Sequence, residues 1–184
     1  PLLQAEYPQI FANNVWPEDT KETGFEEVYL SIGHQLHTIG LVLLEGIALA
    51  LNLPKDCFTS FVKGGAHVTR ALHYLPLNES QVDSDIRWGE EHTDFNLLTL
   101  LPGGRFYYDD HSVYEPKGVS GLYLRARGDE QNPQGRRVRG SAPEGCIIAQ
   151  VGQQLEILTG GELLATPHEI LPPKDVGVHR SSMA

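Results

Sequence analysis

His92-Thr93-Asp94 sets an imidazole and a carboxylate two residues apart, immediately before the apolar run Phe95–Leu101. Read as part of a strand, that spacing turns both side chains to one face, because alternate residues share a side. A second histidine would complete a 2-His-1-carboxylate facial triad, the ligand set that holds non-haem Fe(II) and leaves coordination positions open. His168 follows Asp94 by 74 residues, too far for a local zinc-finger arrangement and suited to strands that face one another across a barrel. Further on, Arg180-Ser181-Ser182 puts a guanidinium and a hydroxyl on one strand face, a pair suited to gripping a carboxylate. Rival clusters are weaker. Asp109, Asp110 and His111 are sequence neighbours in a loop and would not converge on one ion. His34 and His37 lie off the apolar stripe of their segment and read as solvated.

The elements that must position these groups follow from periodicity. Residues 1–20 read as an irregular arm in which Phe11 and Trp16 pack on the body. Thr23-Gly24-Phe25-Glu26 has the form of a capping box. From it, Val28, Tyr29, Ile32, Leu36, Ile39, Leu43, Ile47 and Ala50 follow three-four spacing. Pro54 stops that helix, since the residue before a proline avoids helical geometry; at a rise of ~1.5 Å per residue it would be roughly 40 Å long. After residue 64, short strand-like runs alternate with Gly, Pro, Asn and Asp: 67–75, 95–101, 121–127, 136–139, 146–151, 155–158, 162–168 and 177–184. Many short strands between turn signals predict a double-sheet jelly roll over 64–184, one compact unit with a helical support over 1–63. The long connection Pro102–Ser120 reads as a lid or binding loop. Arg125, Arg127, Arg136, Arg137 and Arg139 gather on a predicted hairpin and read as a solvated basic patch.

Composition bounds the partners. A chain of 184 residues with 40% hydrophobic content can bury a sizeable core. A net charge of -10 argues against a nucleic-acid partner, which needs a basic face. The apolar stretch Ile39–Leu53 includes Glu45 and is too short to span a membrane. Cys57 and Cys146 are too few for a disulfide framework and suit a reducing, cytoplasmic setting. A monomer acting on a small molecule is the expectation.

The ordered series is more specific than any of its parts. Tyr74, His92-Thr93-Asp94-Phe95, Gly121-Leu122, Gly152 through Thr159-Gly160-Gly161, His168 and Arg180-Ser181-Ser182 closely resemble the isopenicillin N synthase-like family of 2-oxoglutarate- and Fe(II)-dependent dioxygenases, also described as iron/ascorbate-dependent oxidoreductases. Asn14-Val15-Trp16-Pro17 and the helix after it resemble that family's N-terminal part. The resemblance implies a mainly β fold with some α structure, a double-stranded β-helix (jelly roll) preceded by a long N-terminal helix. It implies His92, Asp94 and His168 as ligands of Fe(II), and 2-oxoglutarate chelating the metal through its keto-acid end. Its far carboxylate would meet Arg180, Ser182 and Tyr74. Dioxygen as co-substrate, ascorbate as reductant, and release of succinate and CO2 on oxidation of a small molecule, typically by hydroxylation, are part of the same implication.

Phe95, Leu98, Trp88, Arg87 and the Pro102–Ser120 loop are the candidate pocket walls. The chain departs from the family pattern in places. Tyr74-Leu75-Pro76 replaces a Tyr-Pro pair, Asn96 stands where glycine is usual, and the segment from Leu101 to Gly121 is long. It begins at Pro1 and stops at Ala184, short of the family's last strand, which reads as a piece of a longer chain. An oxidase that uses no 2-oxoglutarate, and a non-catalytic jelly-roll module, are the alternatives.

Overall fold

A computed structural model describes residues 2–18 and 20–184, with two compact units that divide at Thr69 and Arg70. The first unit is helical: α1 (Leu2–Glu6), α2 (Thr20–Thr23), α3 (Phe25–Ala50) and α4 (Thr59–Val62). The arm expected to be irregular therefore opens with a helical turn, and Trp16 packs edge-on against Phe25 and Tyr29, with ring centroids 6.3 and 5.6 Å away. Helix α3 has the 26-residue span its periodicity predicts, but no capping box forms. Gly24 is the N-cap, in the left-handed region at φ 70°, and no side chain caps the helix there. The C-terminus closes as a Schellman motif. Asn52 takes φ 56°, Leu53 N–H bonds Ala48 O at 2.9 Å, and Asn52 N–H bonds Leu49 O at 3.1 Å, just ahead of Pro54.

The fully buried row of α3 is Leu36, Leu44 and Ala48, while Val28 and Ile39 are exposed. Contrary to expectation, His37 is half-buried. Its ring lies 4.2 Å from that of His67, and burial, followed by the charges of His67 and His34, lowers its pKa. The length and hydropathy of α3 (mean 1.3 over an 18-residue window) are also sufficient to cross a membrane. Ile39–Leu53 taken alone hides this, because the apolar run begins earlier, at Phe25.

The second unit holds β1 (Ala71–Tyr74), β2 (Gly89–His92), β3 (Leu98–Leu101), β4 (Gly104–Tyr107), β5 (Gly121–Ala126), β6 (Arg136–Arg139), β7 (Ile148–Val151), α5 (Gln153–Leu158), β8 (His168–Leu171) and β9 (His179–Met183). Its strands order as β1-β9-β4, β2-β8-β5-β6 and β3-β7, all pairings antiparallel. Only Pro102 and Gly103 separate β3 from β4. A proline cannot donate to the ladder, and this break lets one strand path serve β7 on one side and β9 on the other. The result is the jelly roll. Its aromatic core is Phe106, Tyr114 and Val178 with Trp88 packed against them.

Four expectations are corrected here. Residues 155–158 belong to a helix, because Gly152 ends β7 in extended geometry and the apolar Leu155 needs only one turn to reach the interior. The strand expected over 162–168 begins only at His168, so the histidine opens β8 instead of closing its predecessor. Asp94 lies outside any strand, two residues beyond the end of β2. Pro102–Ser120 is no free loop: it contains β4, and a bridge ties Tyr107 to Val113.

Candidate metal centre

His92 closes β2 and His168 opens β8, and the two are direct cross-strand partners next to a register shift. Their rings stand 4.3 Å apart. Each Nδ1 faces a backbone carbonyl two residues earlier, Glu90 O at 2.6 Å and Thr166 O at 3.1 Å. A carbonyl only accepts, so each Nδ1 carries a proton, and in the neutral ring Nε2 is the nitrogen with the lone pair. Asp94 Oδ1 lies 3.7 Å from His92 Nε2 and 3.9 Å from His168 Nε2. Ligand atoms of all three residues fall within 4.8 Å of one another.

Asp94 reaches this point from a loop, and the loop is held at several places. Its Oδ2 accepts from Thr99 Oγ1 at 2.5 Å, and Thr99 Oγ1 in turn accepts from Asn96 Nδ2 at 2.9 Å. Only Oδ1 is left for the centre. Beyond the strands, Gln153 N–H bonds Asp94 O at 2.7 Å, Gln154 N–H bonds Asn96 O at 3.2 Å, and Gln153 Nε2 donates to Thr93 Oγ1 at 2.6 Å. A Cβ at Gly152 would come within 2.1 Å of Asn96 O, so glycine is what permits the first turn of α5 to sit on this loop. Two neutral imidazole nitrogens and one carboxylate oxygen, pre-oriented by backbone and hydroxyl partners, suit a divalent iron.

The three residues line a cavity of about 510 Å³ that also contains Tyr74, Arg180 and Ser182. Arg180 is only 8% exposed, and among the described residues no carboxylate lies within ion-pair distance of it. Its Nη1 donates to Ser182 Oγ at 3.1 Å, while Nε has no partner. The guanidinium lies over the rings of Tyr74 and Phe106, at 5.0 and 5.7 Å. Burial lowers its pKa, and Tyr74 opposes that shift. A buried cation without an anion is costly unless a ligand supplies one. The cavity therefore has one corner whose three side chains could hold a metal and another with an unpaired guanidinium that suits an anion.

The chain is 30% identical over 166 residues to a 2-oxoglutarate-dependent dioxygenase of Aspergillus rugulosus, covering 89% of this chain and 45% of that one. A solved structure from Caulobacter crescentus, assigned to the 2OG-Fe(II) oxygenase family, superposes with a TM-score of 0.67 at 27% identity, over 96% of this chain and 50% of that one. A full-length protein of Neurospora crassa, crystallised in complex with alpha-KG, superposes with a TM-score of 0.70 at 22% identity, over 92% and 48%. No family model matches the chain. Along most of its length the chain is similar in sequence and in fold to 2-oxoglutarate- and Fe(II)-dependent oxygenases. It spans about half the length of the relatives it matches. The Caulobacter likeness leaves only 4% of this chain unmatched, so it extends over most of α3 as well.

Within this oxygenase fold, the four single residues expected as pocket walls, Phe95, Leu98, Trp88 and Arg87, lie outside the cavity lining. Phe95 is 76% exposed, Leu98 lies outside the cavity lining, and Trp88 belongs to the aromatic core, its Nε1 bonded to Leu75 O at 2.9 Å. Arg87 donates to Glu169 at 2.5 Å, and Glu169, 2% exposed, also pairs with Arg137 at 2.7 Å. Arg125 grips Glu91 through Nε and Nη2, chiefly by hydrogen bonding, which lowers the carboxyl pKa. Two of the five arginines of the predicted basic patch, Arg125 and Arg137, are thus paired with acids on β2 and β8, while Arg136, Arg137 and Arg139 are exposed as expected. Asp109 pairs with His179 and Asp110 caps its own turn through Ser112, so this acidic cluster stays apart from the centre. Thr99 and Gln150, both in the cavity lining, were not anticipated, whereas Pro102, Gly103, Gly104, Phe106 and Ser120 of the expected Pro102–Ser120 segment do line it. Strand alternation from Leu101 back to Thr99 was the one available signal.

Proposed function

We propose that this chain carries the metal and co-substrate site of a dioxygenase that oxidises a small molecule, with hydroxylation as the outcome. In this reading His92, Asp94 and His168 hold Fe(II), and Arg180, Ser182 and Tyr74 hold the far carboxylate of 2-oxoglutarate. Iron bound there with 2-oxoglutarate and dioxygen supplies the oxidising power, with succinate and CO2 as by-products. The protein's own contribution is placement. The carbonyls of Glu90 and Thr166 orient both rings so that Nε2 faces the centre, and Thr99 holds one oxygen of Asp94 so that the other faces it too. Arg180 sets the distance at which a dicarboxylate can stretch between anion corner and metal corner. The free thiols of Cys57 and Cys146 fit a cytoplasmic location.

The observation that carries this reading is the buried, acid-free guanidinium of Arg180 in the cavity of the triad. An oxidase that dispenses with 2-oxoglutarate would need it only for a carboxylate of its own substrate. The test is anaerobic Fe(II) titration followed by a succinate assay in air. Parent chain should bind one iron and convert 2-oxoglutarate, and His92→Ala and His168→Ala should do neither. Iron binding that survives both substitutions would sink the ligand assignment.

A further inference from the structure

Gln150 is 4% exposed, and among the described residues neither its amide oxygen nor its amide nitrogen has a hydrogen-bond partner. It lines the cavity that holds His92, Asp94 and His168. In the β3–β7 ladder it stands opposite Thr99, whose hydroxyl is committed to Asp94 and Asn96. Opposed residues carry Cβ atoms ~4.5–5.5 Å apart, so the amide lies beside the carboxylate that faces the metal corner yet is not bonded to Thr99. Ser120, 0% exposed and likewise without a partner for its hydroxyl, lines the same cavity from the start of β5.

Buried polar groups in folded proteins are nearly always satisfied, and leaving both halves of an amide unmade is unfavourable. 2-Oxoglutarate does not resolve this. Its carboxylates and keto oxygen only accept, so they could engage the amide nitrogen and would strand the amide oxygen. The complement of a side-chain amide is a ligand with a carbonyl and an N–H on adjacent atoms, which pairs with both at once. A cavity of about 510 Å³ has room for such a molecule beside the co-substrate.

We propose that Gln150 determines specificity in this pocket, and that the primary substrate presents a cis amide edge, as in a lactam or a primary carboxamide. This inference rests on the function proposed above, because it takes the cavity as the substrate pocket. A site built to hydrogen-bond one group discriminates strongly against an analogue that lacks it.

The experiment loads the chain with Co(II) and 2-oxoglutarate without oxygen, then titrates 2-piperidone, N-methyl-2-piperidone and cyclohexanone, following binding by ligand-observed NMR. The parent should favour 2-piperidone by at least about tenfold over the two probes that lack the N–H. Gln150→Leu should lose that preference while Co(II) and 2-oxoglutarate affinities stay within about twofold of the parent. Gln150→Leu should melt no lower than the parent, since it removes an unsatisfied amide and keeps the volume. A parent that binds the three probes alike, or a Gln150→Leu chain that keeps the preference, overturns the proposal. A parent that takes up neither Co(II) nor 2-oxoglutarate overturns the function instead, and the lactam preference is then read on the metal-free cavity.

Discussion

Arg180 and Gly104 act as a pair. β4 runs beside β9, and a Cβ at position 104 would fall 2.7 Å from Arg180 Nη2. The crowded atom is the end of a flexible side chain, so Gly104→Ala should displace the guanidinium with little loss of stability. We expect Gly104→Ala to weaken 2-oxoglutarate binding about tenfold, and Arg180→Ala to weaken it by about 2 kcal/mol or more, as loss of a buried charge partner does. Co(II) affinity should hold in both, and calorimetric titration with each ligand checks the pair. Thr99 predicts the opposite split. Thr99→Val keeps the shape but removes the donor to Asp94 Oδ2. Metal affinity should fall about 10–100-fold, the usual effect of losing such a partner. Competition of Co(II) against a chelator measures it.

At the scale of elements, the centre depends on a six-residue helix that the metal never touches. The backbone N–H groups of Gln153 and Gln154 pin the carbonyls of Asp94 and Asn96. Gly152 makes this approach possible, and here the obstacle to a side chain is backbone, Asn96 O, which cannot swing aside. Gly152→Ala should therefore cost about 1–3 kcal/mol of stability, as overpacking does, and loosen metal binding with it. Urea unfolding and the same Co(II) competition should move together. If stability falls while metal affinity is unchanged, α5 does not position Asp94.

For the molecule as a whole, the aromatic core supplies a pH signature. Tyr114 is buried among Phe106 and Val178, its hydroxyl donates to Asp175, and its pKa is pushed up to about 12, by burial first and by the bond to Asp175 next. In the unfolded chain a tyrosine ionises near 10. The neutral phenol is thus favoured by folding: the stabilisation is fully present below about pH 10 and is lost as pH rises toward 12. Urea midpoints measured from pH 9 to 12 should fall over that interval. Tyr114→Phe should be less stable at pH 9 and show a shallower fall. An equally steep fall would assign the transition to other groups.

Much was legible in the sequence alone: the extent of α3, the positions of β5, β6 and β9, and the order of His92, Asp94, His168 and Arg180. Such features rest on local causes, namely apolar periodicity, a proline after a helix end, and residue types that only certain chemistry needs. What the tertiary structure decided is how those residues meet. Asp94 converges with the histidines from a loop braced by α5 and Thr99, not from the shared strand face that two-residue spacing suggested. Arg125 of β5 and Arg137 of β6 found Glu91 and Glu169 across the sheet, and Phe95 turned outward. Register sets these pairings, and register is a property of two strands at once. One chain segment read by itself carries its own period, but not the partner that stands opposite.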